Sequence, residues 1–226
     1  MENQIHQNSD IVVSLDIGST KVSVGVGRTN ILNKIEILGF GKVNSEGVIR
    51  GVVSNIDKTV KAISDAIDLA EKMSKQEIQK VYVGIAGQHI KSIQHQGVLY
   101  RNNPQEEINQ EDVDKLIQDM YKIALPPGDQ ILHVIPQEFT VDDEEGIIDP
   151  IGMSGSRLQS NFHIITGNTS AANNILRCIE KAGLTSEKMT LEPLASAESV
   201  LSKEEKEAGV VKVDTGVKSC QLGFVR

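Results

Sequence analysis

The chain has 226 residues, 39% of them hydrophobic, which is enough to bury a core in one or two domains and too few for a membrane protein. A net charge of −8 argues against a sequence-independent grip on nucleic acid, whose affinity comes from Lys and Arg, but not against a small phosphate ligand. Cys178 and Cys220 suggest neither a disulfide framework nor a zinc site, no apolar run reaches the ~18 residues that span a bilayer, and polar Met1 to Asp10 lacks a signal-peptide core, so a cytoplasmic chain is expected.

The first predicted element is a hairpin. Ile11 to Ile17 and Val22 to Gly27 are rich in β-branched residues, which suit a pleated surface, and Asp16 to Lys21 makes a tight polar turn between them. Gly18 allows both the sharp turn and the close approach of an anion. Backbone N–H groups from Gly18 to Lys21, with the Ser19 and Thr20 hydroxyls and the Lys21 ammonium, can surround a phosphate chain. Asp16, at the end of the first strand, is placed to hold magnesium through water. This is not a Walker loop, because no G-x-x-x-x-G-K-[ST] occurs. Standing alone, an Asp-x-Gly between two strands is more often an ordinary hairpin turn, so the order of the remaining chain decides.

Lys34 to Val43 reads as a third strand. Gly47 to Val53 leads into Ser54-Asn55, good N-cap types, and Ile56, Val60, Ile63, Ile67 and Ala70 make one apolar stripe of a long helix. Val81 to Ala86 is a nearly continuous apolar run, expected of a strand buried on both faces. From Gly87 the pattern changes to a strand over 91–101 and a helix capped by Asn109, with Val113, Leu116, Ile117 and Met120 on its apolar face. Leu125-Pro-Pro-Gly128 breaks that helix, a strand follows over 131–141, and an acidic, glycine-rich loop runs through Gly155.

The main fold is expected to resume with a strand from Leu158 to Thr166. Next come a helix carrying Ala172, Ile175, Leu176 and Ile179, stopped by Gly183, and a short strand over 188–191. A charged helix over 193–207 then precedes a last strand that runs into Asp214-Thr-Gly216, an echo of Asp16-Ile-Gly18. Three meandering strands, a helix and a buried strand predict an α/β chain of the ribonuclease-H-like fold used by actin-type ATPases, with a small α+β subdomain inserted. The histidines lack metal-ligand spacing, and Asp142 to Glu145 reads as a solvated acidic turn rather than a calcium loop.

Four segments resemble the FtsA family of actin-like bacterial cell-division proteins: Ser14 to Val22, Glu46 to Asn55, Leu132 to Phe139, and Gly146 to Leu158. The resemblance implies an ATP- and magnesium-binding scaffold. Such a scaffold tethers filaments of the tubulin-like FtsZ to the inner face of the cell membrane at the division site and recruits late division proteins, with no nucleic acid involved. It implies a subdomain 1A in two parts, residues 10–86 and 158–194, and an inserted subdomain 1C over 87–157 that mediates self-association. Residues 195–226 would begin subdomain 2A. The implied nucleotide-binding set is Asp16, Gly18, Ser19, Thr20 and Lys21, joined by Asp214 and Gly216 from a second loop, with Asp16 on the magnesium side. No catalytic residue is identified.

The second loop departs from the family pattern Asp-Ile-Gly-Gly-Gly-Thr. Thr215 replaces its apolar residue and Val217-Lys-Ser-Cys220 replaces the rest, which puts side chains where phosphate should approach. With the chain ending at Arg226, the expectation is the first lobe only: an incomplete form, truncated in 2A. It would lack the C-terminal membrane helix, with ATP binding weak or absent and no turnover. Two other readings remain open at this point, a PilM-like pilus-assembly ATP-binding protein and a small-molecule kinase of the actin superfamily. Pro136-Gln-Glu138 and Gly152-Met-Ser-Gly155 favour FtsA over PilM.

Overall fold

The computed structural model describes residues 11–30, 34–215 and 220–225. The chain divides into two compact units, one running to Gln88 and again from Ser170 onward, the other spanning His89–Thr169.

In the first unit, β1 (Ile11–Ile17), β2 (Lys21–Thr29) and β3 (Ile35–Asn44) form the expected antiparallel meander. A small hairpin of β4 (Val48–Ile49) and β5 (Val52–Val53) follows, then α1 (Ile56–Ser74) and β6 (Lys80–Ile85), which runs parallel to β1. The second unit holds β7 (Lys91–Tyr100), α2 (Gln110–Met120), β8 (Asp129–Val141), β9 (Glu144–Ile147) and β10 (Arg157–Asn168). The chain then returns with α3 (Thr169–Lys181), β11 (Thr185–Leu191), α4 (Glu192–Val200), α5 (Lys203–Ala208) and a hairpin of β12 (Val210–Thr215) and β13 (Cys220–Val225). The larger sheet of the first unit has the order β11-β6-β1-β2-β3, and that of the second unit the order β7-β10-β8-β9.

Alternation explains the first sheet. Val13, Leu15, Ile17, Val22, Val24, Val26, Val81, Val83 and Ile85 are buried at every second position. Asn55 caps α1 by accepting from the Lys58 N–H at 2.9 Å, and α1 buries Thr59, Ala62, Ile63, Ala66, Ile67 and Ala70. Thr59 enters the apolar stripe in place of Val60, and its hydroxyl donates to the Asn55 carbonyl at 2.8 Å. Small residues let α1 lie close on β3: a Cβ added at Gly41 would stand 1.9 Å from the Ala66 carbonyl oxygen. Cys178, on α3, is a buried free thiol.

Three expectations change. β6 is buried on one face only, since Tyr82 between Val81 and Val83 is exposed. The charged helix over 193–207 breaks into α4 and α5, because Ser202 accepts from the Glu205 N–H while Glu205 accepts from the Ser202 N–H, which starts a new helix. The largest change concerns the strand from Leu158. It does not resume the main fold but is the central strand of the second sheet, paired with β7 over ten positions and with β8 on its other side. The boundary expected at 157/158 therefore moves to 169/170. An apolar strand reads the same in either sheet, and only long-range pairing assigns it.

The second unit packs α2 over one sheet face, with Val113, Leu116 and Met120 against Phe139, Leu158, Phe162 and Ile164. Arg101 fastens its loops. Its side chain is only 6% exposed; Nε donates to Asp112 Oδ2 at 3.0 Å, Nη1 to the Glu106 and Gly155 carbonyls, and Nη2 to the Glu107 carbonyl, each at 2.9 Å. Asp142, with a left-handed φ of 51°, accepts at Oδ1 from the Ser156 hydroxyl at 2.8 Å and from the Arg157 N–H at 2.9 Å. The Ser156 hydroxyl, then the Arg157 amide, hold the Asp142 carboxyl below the usual carboxylate range.

Two outcomes are expected. Arg101→Met leaves Asp112 without its buried partner and should cost about 3 kcal/mol in urea unfolding. For Asp142, the folded-state pKa is lowered, so its stabilisation is complete above the ordinary carboxylate range and lost as pH falls through the lowered value. Asp142→Asn should therefore be less stable at neutral pH and show a flatter acid limb in the urea midpoint plotted against pH.

Candidate functional site

The chemistry of the first unit gathers at the carboxyl ends of the parallel strands β1, β6 and β11, where α/β sheets hold ligands. Asp16 pairs in register with Gly84, and Gly84 with Thr190. Between β1 and β2 the turn is closed by the Gly18 N–H, which donates to the Lys21 carbonyl at 2.9 Å. That N–H is taken by the turn itself, so it is not among the donors expected for a phosphate. Two remote segments brace the turn: the Gly51 N–H donates to Ser19 Oγ at 3.2 Å, and the Ser45 N–H to the Thr20 carbonyl at 3.0 Å. Asp16 and Ser19 are half-buried, while Thr20 and Lys21 are exposed.

Gly51 belongs to the tip of the β4–β5 hairpin. Arg50 and Gly51 have φ of 52° and 78°, both left-handed, as a two-residue hairpin turn requires. A Cβ at Gly51 would stand 2.2 Å from the Ala86 carbonyl oxygen, at the end of β6. On the same strand, a Cβ at Gly84 would meet the Glu192 side chain, 3.0 Å from Cγ and 3.4 Å from Oε1. The first residue of α4 thus lays its carboxylate beside Gly84, the register partner of Asp16.

Asp16, Gly18, Ser19, Thr20 and Lys21 lie together at this turn because they adjoin in sequence. Asp214 lies in β12 opposite Gln221, in a two-stranded sheet separate from that of β1, and Gly216 falls outside the described residues. Gly51, Gly84 and Glu192 join the set unforeseen. Their signals were present: an Arg-Gly pair between Val-Ile and Val-Val, and a Glu-Pro at a strand-to-helix junction. Hydroxyls and an ammonium suit phosphate oxygens, and two carboxylates suit a hydrated divalent cation. Among the described residues no three His, Cys, Asp or Glu side chains cluster as a metal site, so magnesium here would rest largely on water. No described helix is long and apolar enough to cross a membrane.

Comparison with known proteins matches residues 87–166 to the SHS2 domain inserted in FtsA. The chain is 41% identical over 212 residues to the cell division protein FtsA of Neisseria meningitidis, covering 94% of this chain and 51% of that relative. To FtsA of Escherichia coli K12 it is 37% identical over 206 residues, covering 91% and 49%. The chain spans about half the length of the curated relatives it matches. Among solved structures it resembles a PilM-PilN type IV pilus biogenesis complex, with TM-score 0.69 at 13% identity, over 95% of this chain and 58% of that one. It also resembles the ethanolamine utilization protein EutJ of Carboxydothermus hydrogenoformans, with TM-score 0.50 at 12% identity, over 96% and 47%. These likenesses identify the fold as a partial actin-like ATPase fold.

Gly51→Ala should cost about 1–3 kcal/mol, because it combines a strained φ with a clash at Ala86. Thermal unfolding measures the loss, and a shifted Ser19 amide resonance would show that the brace on the turn has moved.

Proposed function

We propose that this chain, FtsA-type in sequence and carrying the SHS2 domain inserted in that family, supplies a nucleotide-gripping and partner-contacting part of a cell-division scaffold. The observation that carries the reading is likeness to FtsA at 34–41% identity along more than nine-tenths of the chain. The 13% identity to the PilM-PilN structure bears on fold alone and gives the pilus reading no comparable support.

In this reading the phosphates of ATP lie along Ser19 to Lys21. The Ser19 and Thr20 hydroxyls and the Lys21 ammonium donate to them. Asp16, with Glu192 as a second carboxylate, holds magnesium through water, and Asp214 and Gly216 contribute from the second loop. Nucleotide acts as a conformational ligand, its charge balanced locally on a chain whose net charge is −8. FtsZ filaments, late division proteins and the inner membrane face are the partners this role implies. The second unit, whose sheet extends past Arg157, carries self-association.

Titrating Mg-ATP into the 226-residue chain while following amide resonances tests the site. The expected shifts fall at Ser19 to Lys21, Gly51 and Gly84 and at Asp214 and Gly216 of the second loop, vanish in Asp16→Ala and persist in Ser14→Ala. Ser14 lies two residues earlier on the same strand, with its hydroxyl 3.4 Å from the Gly25 carbonyl. An equal response of the two variants, or shifts only elsewhere, would return the turn to an ordinary hairpin.

A further inference from the structure

We infer that Ser23 is a positioning residue for magnesium, its hydroxyl being the donor that orients the Asp16 carboxylate. This role rests on the reading of Asp16 as the magnesium-side carboxylate and adds a residue to it.

Strand β2 alternates. Val22 and Val24 turn into the core, and half-buried Ser23 between them lies on the other face of the sheet. Residues directly opposite in an antiparallel pair share a face, with Cβ atoms about 4.5–5.5 Å apart. Ser23 has two such partners, Asp16 on β1 and Lys42 on β3. The row continues from Asp16 through Gly84 on β6 to Thr190 on β11. Asp16 is thus flanked by Ser23 on one side and, on the other, by Gly84 with the Glu192 side chain against it.

Ser23 Oγ is enclosed, yet it has no hydrogen-bond partner among the described residues. A hydroxyl taken out of water and left unpaired costs stability, and folds keep few of them. Ser14, on the same face of the sheet two residues before Asp16, shows the contrast, since its hydroxyl donates to the Gly25 carbonyl at 3.4 Å.

Chemistry selects the neighbour that Ser23 serves. A lysine ammonium only donates, an ionised carboxylate only accepts, and a hydroxyl does both. Of the two register partners, Asp16 alone can therefore take the Ser23 proton, while Lys42 can donate to Oγ from the opposite side. Rotation about one side-chain bond redirects the hydroxyl. Carboxylates that hold a cation are themselves held by hydrogen bonds, which fix their orientation. The need is greatest for magnesium, which demands near-octahedral geometry.

An NMR titration of the full chain tests this role. ATP is held constant, Mg2+ is raised from zero, and the amide shifts of Ser19 to Lys21 are followed. Ser23→Ala should raise the Mg2+ concentration at half-change roughly tenfold and leave the shifts produced by ATP in EDTA as they are. Ser23→Thr keeps the hydroxyl, suits a strand, and should restore the parent value. Thermal unfolding without metal separates positioning from a structural role. Ser23→Ala loses an unpaired buried hydroxyl, so its midpoint should equal or exceed that of the parent. The inference falls if Ser23→Ala needs no more Mg2+ than the parent, or if it weakens ATP binding in EDTA as much as in Mg2+. It falls equally if Ser23→Thr fails to recover, or if the metal-free midpoint of Ser23→Ala drops. A parent chain whose shifts ignore Mg2+ overturns the magnesium reading of Asp16 and this role with it. A parent that responds, with Ser23→Ala responding alike, overturns this role alone.

Discussion

The parallel pairing of β6 with β1 is the constraint on which the first unit depends. It places Gly84 beside Asp16 and so brings the end of one strand, and whatever follows it, to the turn between β1 and β2. β11 extends the same parallel register on the other side of β6, and this carries Glu192 across Gly84. Parallel strands need long crossovers, and here α1 is the crossover between the meander and β6. If α1 did not dock, β6 would have no reason to lie against β1, and Asp16 would sit at the end of an isolated hairpin.

Docking of α1 in turn depends on what β3 lacks. Gly39 and Gly41 carry no Cβ, so the backbone of the helix at Ala66 and Ala70 lies almost directly on the strand. Close approach of this kind maximises dispersion contacts and leaves little room for adjustment, since interiors are packed as densely as crystals. The same economy appears at the turn between β1 and β2. Gly51 touches the backbone at the end of β6 while its N–H reaches Ser19, so one hairpin tip joins β6 to the turn. The result is a turn whose geometry is set by packing behind it as well as by its own short loop.

The second unit is built on a different principle. Its sheet is wholly antiparallel, its helix covers one face, and its irregular loops are tied by two polar groups, Arg101 and Asp142, instead of by burial. Arg101 donates to three carbonyls and a carboxylate, which offsets the cost of enclosing a guanidinium. With its loops fixed in this way, β7 is presented as a regular strand.

Much of this was legible in the linear chain because the signals are local. Alternating β-branched residues set β1 and β2, Asn55 and Asn109 cap their helices through bonds three residues away, and Asp16 to Lys21 mark the turn. Those interactions act within one turn or one strand, where residue type is enough to decide. The tertiary structure alone decided that β10 pairs with β7 and β8 rather than with β1 or β6, since a buried strand has the same pattern in either sheet. It alone brought Gly51, Gly84 and Glu192 to the turn. Their roles come from contacts across 32 residues between Ser19 and Gly51, and over a longer stretch from Gly84 to Glu192, and no periodicity encodes such contacts.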